Sequence, residues 1–173
     1  MITLRPMEDT MADYTALRSW FLEPELQQWV WCDEKGEKDV PLERVIEKYG
    51  ERIKHPKDVF PYFILREGSP IGFIQYYFQS DEVVGLDMWI GTPEERGQGH
   101  GSEALRQMAE LIHRKHPAVQ ELFIDPEAEN TRAVRCYQNA GFRVVGRYVD
   151  EEGALCLLLK MYFPQPETNA KEL

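Results

Sequence analysis

Apolar residues recur along this chain in two patterns, one typical of helices and the other typical of strands. Apolar side chains at helical spacing predict helices over residues 10–21, 25–30, 41–54, 102–115 and 131–140. Runs rich in β-branched and aromatic residues predict strands over residues 2–5, 61–66, 71–79, 84–91, 121–125, 142–150 and 154–162. The predicted order is β-α-α-α-β-β-β-α-β-α-β-β, which indicates a mixed α+β protein.

Residues at the ends of the predicted helices support several of these boundaries. Asp9 or Thr10 can cap the first helix, and Asn130 can cap the fifth by accepting a hydrogen bond from a first-turn N–H group. Pro41 stands where a first-turn proline is tolerated, and Gly141 follows the fifth helix as a typical closing residue. Periodicity and capping therefore agree for these three helices.

A glycine-rich turn lies between the strand predicted over residues 84–91 and the helix that follows it. The segment Arg96-Gly-Gln-Gly-His-Gly101 places glycine at three alternating positions. Glycine lets the backbone turn tightly and leaves no side chain between its N–H groups and a ligand. The N-terminus of the next helix adds unpaired N–H groups and the positive end of the helix dipole. We therefore expect this turn to bind a pyrophosphate.

Other phosphate-binding loops fit the turn less well. It lacks the Gly-Lys-Ser/Thr ending of a P-loop, which argues against hydrolysis of a nucleoside triphosphate. The even spacing of Gly97, Gly99 and Gly101 does not form G-x-G-x-x-G. A dinucleotide-binding βαβ unit would also place such a turn near the first strand, whereas this one lies past the middle of the chain. On this pattern alone, a plain glycine-rich connection stays a second interpretation.

Length and composition indicate one globular domain. We assign residues 1–163 to this domain and residues 164–173 to a polar tail, because no repeat or linker interrupts the 173-residue chain. Apolar residues make up 43% of the chain, but no apolar run approaches the roughly 20 residues of a membrane helix. The N-terminus lacks the pattern of a signal peptide. We expect a cytoplasmic protein without a membrane partner.

Charge and cysteine content restrict the possible partners. The formal net charge of −10 argues against a nucleic-acid partner and favours a small cationic one, although it also fits a generally acidic surface. The cysteines show no metal-binding spacing and the histidines form no cluster, so we predict free thiols and no metal site. These residues are Cys32, Cys136, Cys156, His55, His100, His113 and His116.

A second motif follows the strand predicted over residues 121–125. Asn130 is followed by Ala133, Tyr137 and the pair Gly141-Phe142. Together with Arg96-x-x-Gly99-x-Gly101, this order of motifs resembles the GNAT family of N-acetyltransferases. The resemblance implies a central, mostly antiparallel sheet of about seven strands, with two parallel strands that splay at the cofactor site and helices on both sides. It also implies acetyl-CoA as the cofactor.

The resemblance implies functional residues in both motifs. In that family the asparagine contacts the pantetheine arm, and the tyrosine hydroxyl lies near the CoA sulfur as a general acid. Asn130 would otherwise be only a helix cap, and Tyr137 only a core aromatic. The implied cofactor-binding residues are Trp89, Ile90, Arg96, Gly97, Gln98, Gly99, His100, Gly101, Ser102, Asn130, Ala133 and Tyr137.

Residues 60–145 most resemble the aminoglycoside 6′-N-acetyltransferases, and residues 17–31 do so more weakly. In that branch an aspartate ten residues before the first loop glycine binds the substrate ammonium and accepts its proton, and here Asp87 occupies that position. Asp125 matches a second acidic residue that faces the substrate. An amine attacks a thioester only when it is unprotonated, so a carboxylate that binds it can also act as the base. Candidates to line the amine pocket are Trp29, Trp31 and Tyr76.

The sequence leaves several alternatives open. The acceptor can be a different amine, such as a siderophore precursor, a polyamine or a protein N-terminus. The chain can also be a CoA-binding module without turnover, although Asp87 and Tyr137 together argue against that interpretation. Asp87 can be a solvated residue at the end of a strand, and Trp29 and Trp31 can pack the first helices. The sequence allows either a monomer or a homodimer.

Overall fold

The computed structural model describes residues 1–30 and 39–165, and within them it contains seven strands and five α-helices in the predicted order. Trp31 and Cys32 lie outside the described residues, so the expectations about them stay predictions. The elements are β1 (Ile2–Pro6), α1 (Met11–Phe21), α2 (Pro24–Gln27), α3 (Leu42–Lys54), β2 (Val59–Arg66), β3 (Ser69–Phe78), β4 (Val83–Ile90), a short 3-10 helix (Pro93–Glu95), α4 (His100–Lys115), β5 (Glu121–Ile124), α5 (Thr131–Asn139), β6 (Arg143–Val149) and β7 (Leu155–Tyr162).

The strands form one sheet in the order β1-β2-β3-β4-β5-β7-β6. Every neighbouring pair is antiparallel except β4 and β5, which are parallel. Their pairing begins at Val83 with Glu121 and stops at Gly85 with Phe123. Beyond this point β4 continues to Ile90 without β5 beside it, so an opening separates the two strands. The implied fold class, a mostly antiparallel sheet with splayed parallel strands, is confirmed.

Alternating side chains divide the core into two clusters, one on each face of the sheet. Phe63, Phe73 and Trp89 pack with residues of α1 and α3. On the other face the cluster includes Ile74 and Leu86, which pack with residues of α4 and α5. The side of the sheet on which a strand residue lies is therefore fixed by its position in the alternation.

The helix ends follow the predicted capping chemistry, with two differences in length. Thr10 Oγ1 accepts a hydrogen bond from the Asp13 N–H at 3.3 Å, and Asn130 caps α5 through the Ala133 N–H at 3.3 Å. Helix α2 ends at Gln27 instead of residue 30, because the N–H groups of residues 29 and 30 both bond to the Leu26 carbonyl and close a turn. Helix α4 begins at His100, two residues earlier than predicted.

Candidate active site

A cleft of about 660 Å³ opens beside the splayed strands. Its walls come from α2, the end of β4, the glycine turn, the first turn of α4, and α5. Among the wall residues are the predicted cofactor contacts Trp89, Ile90, Arg96, Gly97, Gly99, His100, Gly101, Ser102, Asn130, Ala133 and Tyr137. Eleven of the twelve predicted cofactor-binding residues therefore line one cleft, and Gln98 is the one that does not.

The glycine turn leaves the start of α4 open to a ligand. Gly97 and Gly99 have φ values of 71° and 85°, which favour glycine, and Gly99 caps α4 without any side chain. The first backbone bond back to Gly99 comes from Glu103, at 3.1 Å. The N–H groups of the first turn have no acceptor within a helix, and they lie at its positive end. This geometry suits a pyrophosphate that approaches past the two glycines.

The first turn of α4 packs closely against α5. A Cβ atom added at Gly101 would lie 2.9 Å from Cys136 Sγ, so a larger residue would push the two helices apart. Ser102 Oγ donates a hydrogen bond to the Cys136 carbonyl at 2.9 Å. Cys136 is partly buried in a wall of the cleft, and burial raises the pKa of its thiol. Cys136 therefore contributes to the packing of α4 against α5.

The guanidinium of Arg96 is used within the protein. Its Nε donates to the Ile90 carbonyl at 2.9 Å, and its two Nη atoms bond to Glu25 at 2.9 Å and to Glu23 at 2.7 Å. The Arg96 side chain is only 8% exposed. Burial alone would raise the pKa of Glu23, but the bonds from Arg96 and from backbone N–H groups lower it. Arg96 thus ties α2 to the glycine turn, and a contact with phosphate stays a prediction.

Glu25 connects both sides of the cleft. One carboxylate oxygen accepts a hydrogen bond from Arg96, and the other accepts one from Arg132 Nη1 at 3.0 Å. All three residues are wall residues, and Arg132 lies in the first turn of α5. Trp29, which follows α2, also lines the cleft on this side. The aromatic residue predicted for the amine pocket therefore lies in the same cleft as the predicted cofactor contacts.

Two buried nitrogen atoms, in residues that line the cleft, have no hydrogen-bond partner among the described residues. Trp89 is 9% exposed, stacks on Phe73 at a centroid distance of 4.5 Å, and its Nε1–H has no acceptor among the residues that the structure describes. His100 Nε2 lies 3.1 Å from Glu95 Oε2, but the alignment is too poor for a hydrogen bond. Both nitrogen atoms are buried, so neither lies on the surface of the cleft.

Asp87 and Asp125 follow the last paired residues of the parallel strands. Each lies two positions beyond the pair of Gly85 and Phe123, beside the opening between β4 and β5. Burial raises the pKa of Asp87, a hydrogen bond from Gln75 opposes this, and the negative charge of Asp125 adds to the rise. Asp87 nevertheless keeps partial contact with solvent. The opening therefore holds two neighbouring carboxylates that together favour a cation.

Tyr137 lies in the wall of the cleft with its side chain 6% exposed. Burial raises the pKa of its hydroxyl, and the neighbouring Cys136, Asp87 and Asp125 raise it further. The hydroxyl therefore keeps its proton at neutral pH. A protonated hydroxyl near two carboxylates can donate a proton to a leaving group.

Tyr76 is the one predicted substrate contact that the structure places elsewhere. It is 1% exposed, stacks on Phe60 at 4.8 Å and shares a hydrogen bond with His116 at 3.0 Å on the α4 face. Its neighbour Tyr77 lies on the opposite face, where Asp87 and Asp125 raise the pKa of its hydroxyl beyond the effect of burial. The burial of Tyr76 on this face argues against the predicted substrate contact, because neighbouring residues of a strand point to opposite faces.

Three residues near the carboxylates were missed by the sequence interpretation. Gln75 donates to Asp87 Oδ2 at 2.8 Å, Arg52 donates to Gln75 at 3.0 Å, and Tyr148 donates to Asp125. The sequence could have indicated a role for Gln75, because it is the one polar side chain in the otherwise apolar run of residues 71–78. No sequence pattern indicated Arg52 or Tyr148, because their contacts join segments that are distant in the chain.

The described residues contain no cluster of His, Cys, Asp and Glu side chains that could hold a metal ion. Within the same residues, no helix has the length and apolar character needed to cross a membrane.

Comparisons with known proteins agree with this geometry. Residues 9–149 match a family model described as an acetyltransferase (GNAT) domain. An aminoglycoside N(6′)-acetyltransferase type 1 from Klebsiella pneumoniae is 30% identical over 164 residues, which cover 88% of this chain and 79% of that protein.

Solved structures show the same similarity. AAC(6′)-Ib in complex with ribostamycin and coenzyme A superposes with a TM-score of 0.80 at 27% identity and covers 93% of each chain. The fold is also shared with a spermidine N-acetyltransferase from Vibrio cholerae in complex with CoA and spermine. In that comparison the TM-score is 0.77 at 16% identity, with 93% of this chain and 95% of the other covered.

Proposed function

Because this chain belongs to the GNAT acetyltransferase family, we propose that it transfers the acetyl group of acetyl-CoA to the 6′-amine of an aminoglycoside. Asp87 and Asp125 at the opening between β4 and β5 carry this proposal. Two carboxylates beside one cleft suit a substrate that bears several ammonium groups. The relative from Klebsiella pneumoniae, which bears the name of this activity, supports the same acceptor.

The cleft residues hold the cofactor mainly through backbone groups. The N–H groups at the start of α4 bind the pyrophosphate, and Gly97 and Gly99 allow it to approach. Asn130, whose side chain caps α5, offers a polar contact further along the cleft. When bound, acetyl-CoA supplies the acetyl group as a thioester. The volume of about 660 Å³ and the open shape of the cleft fit an extended molecule.

Asp87 prepares the amine for attack. Its carboxylate binds the ammonium group by a charge-assisted hydrogen bond and then accepts the proton, directly or through water. Because burial raises its pKa, Asp87 is a stronger base than a solvated aspartate. Asp125 adds a second negative charge that keeps the cationic acceptor in place. No covalent bond to the protein is needed, since holding the amine beside the thioester provides much of the acceleration.

Tyr137 supplies a proton on the other side of the reaction. Its buried hydroxyl is protonated throughout the neutral range, so it can donate to the departing sulfur atom. Asp87 and Tyr137 therefore divide the acid and base roles between a carboxylate and a phenol. The difference in their environments sets this division.

Release of the CoA thiol by the purified protein tests the proposal. We expect turnover with kanamycin and tobramycin, and none with an aminoglycoside that carries a hydroxyl in place of the 6′-amine. Spermidine, lysine and a peptide panel serve as competing acceptors. Turnover with spermidine or a peptide, and none with the aminoglycosides, would contradict the acceptor and leave the transferase chemistry intact. Tight binding of acetyl-CoA without turnover on any amine would contradict the enzyme itself.

A further inference from the structure

Gln75 and Arg52 form a hydrogen-bonded chain behind Asp87. We propose that these two positioning residues hold the Asp87 carboxylate in one orientation, favour its ionised form, and leave its Oδ1 atom for the acceptor ammonium. The inference deepens the proposed function and rests on Asp87 as the group that receives the amine. Neither residue belongs to the two sequence motifs.

The first link follows from strand register. Gln75 and Asp87 are direct partners in the antiparallel pair of β3 and β4, so their side chains lie side by side on one face. Gln75 Nε2 donates to Asp87 Oδ2 at 2.8 Å. The other oxygen, Oδ1, accepts no hydrogen bond from the residues that the structure describes. Within the described part of the chain, one oxygen is thus held by a hydrogen bond and the other has no donor.

The second link fixes the direction of the amide. Arg52 Nη1 donates to Gln75 Oε1 at 3.0 Å, and a guanidinium can only donate. The amide oxygen must therefore face Arg52, which leaves the NH₂ group to face Asp87. Gln75 is 8% exposed, so its amide has to find both partners inside the protein.

A contact with an aromatic ring holds the Arg52 guanidinium in place. The Arg52 guanidinium lies 4.9 Å from the centre of the Tyr49 ring, on the last turns of α3. A cation over an aromatic face is attracted to the ring. Helix α3 and strands β3 and β4 therefore each contribute one member of the chain, so its geometry depends on the whole face of the sheet.

Electrostatics gives the chain a second effect. Burial raises the pKa of Asp87, the hydrogen bond from Gln75 is the strongest influence that lowers it, and the charge of Asp125 raises it again. The positive charges of α3 lower it by smaller amounts. The charged and titratable groups that face Asp87 are Arg52 and Lys48 from α3, Asp125 after β5, Tyr77 from β3 and Tyr137 from α5.

The pH dependence of kcat/KM with kanamycin and acetyl-CoA tests the chain. The acidic limb reports ionisation of the base in the free enzyme. Gln75→Leu removes the hydrogen bond and should move this limb to higher pH by about one unit. Gln75→Glu pairs a carboxylate with Arg52 and places a negative charge against Asp87, so the shift should be larger still. A loss of packing alone would lower the rate at every pH and leave the limb unmoved, which would overturn the inference.

Arg52→Met and Lys48→Met form a matched pair on the same helix. Both remove one positive charge that acts on Asp87, but only Arg52 also orients the Gln75 amide. We expect a clear upward shift of the limb in Arg52→Met and a smaller one in Lys48→Met. Equal shifts would mean that the charge acts through space and that the chain has no role. Arg52→Met also replaces Gln75→Leu as the test if the leucine variant does not fold.

A direct titration separates this inference from the proposed function. Carbon-13 NMR of labelled aspartate carboxyls, assigned with Asp87→Asn, follows the ionisation of Asp87 without any turnover. An upward shift in Gln75→Leu would support the chain even if another group proved to be the base. An unchanged Asp87 titration would overturn it, even if Asp87→Asn were inactive and the proposed function stood.

Discussion

Asp87 and Tyr137 come from opposite faces of the sheet and act on each other across the opening between β4 and β5. Asp87 lies on the same face of β4 as Trp89, two residues away, and Trp89 packs against α1 and α3. Tyr137 packs on the other face, in the cluster with α4 and α5. The charge of Asp87 nevertheless raises the pKa of Tyr137. If β4 and β5 paired along their full length, the continuous sheet would separate Asp87, the proposed base, from Tyr137, the proposed acid.

Replacement of Asp87, the proposed base, should lower activity without changing cofactor binding. In Asp87→Asn we expect kcat to fall by about a hundredfold or more, on the order of the contribution of a general base. Binding of acetyl-CoA should be unchanged, because the cofactor cleft does not include Asp87. Rates of thiol release and calorimetric binding of acetyl-CoA measure the two quantities. Wild-type turnover in this variant would show that another group is the base.

The same variant should be more stable than the wild type at neutral pH. Burial raises the pKa of Asp87 in the folded state above its value in the unfolded chain, so ionisation weakens folding as the pH rises through the raised pKa. Below the ordinary aspartate pKa both states are protonated, and the difference disappears. Urea unfolding at pH 8 and at pH 3 measures it. A lower free energy of unfolding for Asp87→Asn than for the wild type at pH 8 would contradict this sign.

Removal of the proposed acid should slow the reaction by about a hundredfold or more. Tyr137→Phe keeps the ring and its packing and deletes only the hydroxyl. Because burial raises the pKa of Tyr137, its proton stays on throughout the neutral range, and the wild-type profile should show no downturn from this group there. The variant should keep its Tm. A large loss of Tm, with little loss of rate, would make Tyr137 a core residue alone.

Arg96 should act on folding more than on the cofactor. Arg96→Ala leaves Glu23 without its partner, while Glu25 keeps its hydrogen bond from Arg132, and should lower the free energy of unfolding by about 2 kcal/mol. Part of this contribution should disappear as the pH falls through the lowered pKa of Glu23. Urea unfolding measures the loss, and Arg106→Ala, which removes an exposed pair with Glu103, is the control. Equal effects would contradict the structural role.

The neighbouring tyrosines should separate substrate effects from stability. Tyr76→Phe loses the hydrogen bond with His116 and should lower the free energy of unfolding by about 1 kcal/mol, with kinetics unchanged. Tyr77→Phe leaves that bond intact and removes a hydroxyl near Asp87, so we expect KM for the aminoglycoside to change. Urea unfolding and steady-state rates of thiol release measure the two effects. A changed KM in Tyr76→Phe, with an unchanged KM in Tyr77→Phe, would show that Tyr76 is the substrate contact.

Local signals predicted the parts of this site that depend on neighbouring residues in the chain. The glycine turn and the cap at Asn130 were predicted because both are set by backbone conformation within a few residues. The burial of Tyr76 on the α4 face was not predicted, because the helices that cover each face of the sheet come from distant segments of the chain. Glu23 and Arg96, 73 positions apart, could not be paired by any local rule.

The proposed contacts with the pyrophosphate are made by backbone groups, which limits the mutations that can disturb them. Main-chain N–H groups are present whatever the side chains are, so mutation at positions 98 and 100 leaves this part of the anion site intact, while Gly97 and Gly99 are constrained by their positive φ values. Trp29, Gln75 and Asp125 come from other segments of the chain. Mutations in those segments can therefore change the amine acceptor without altering the proposed pyrophosphate site.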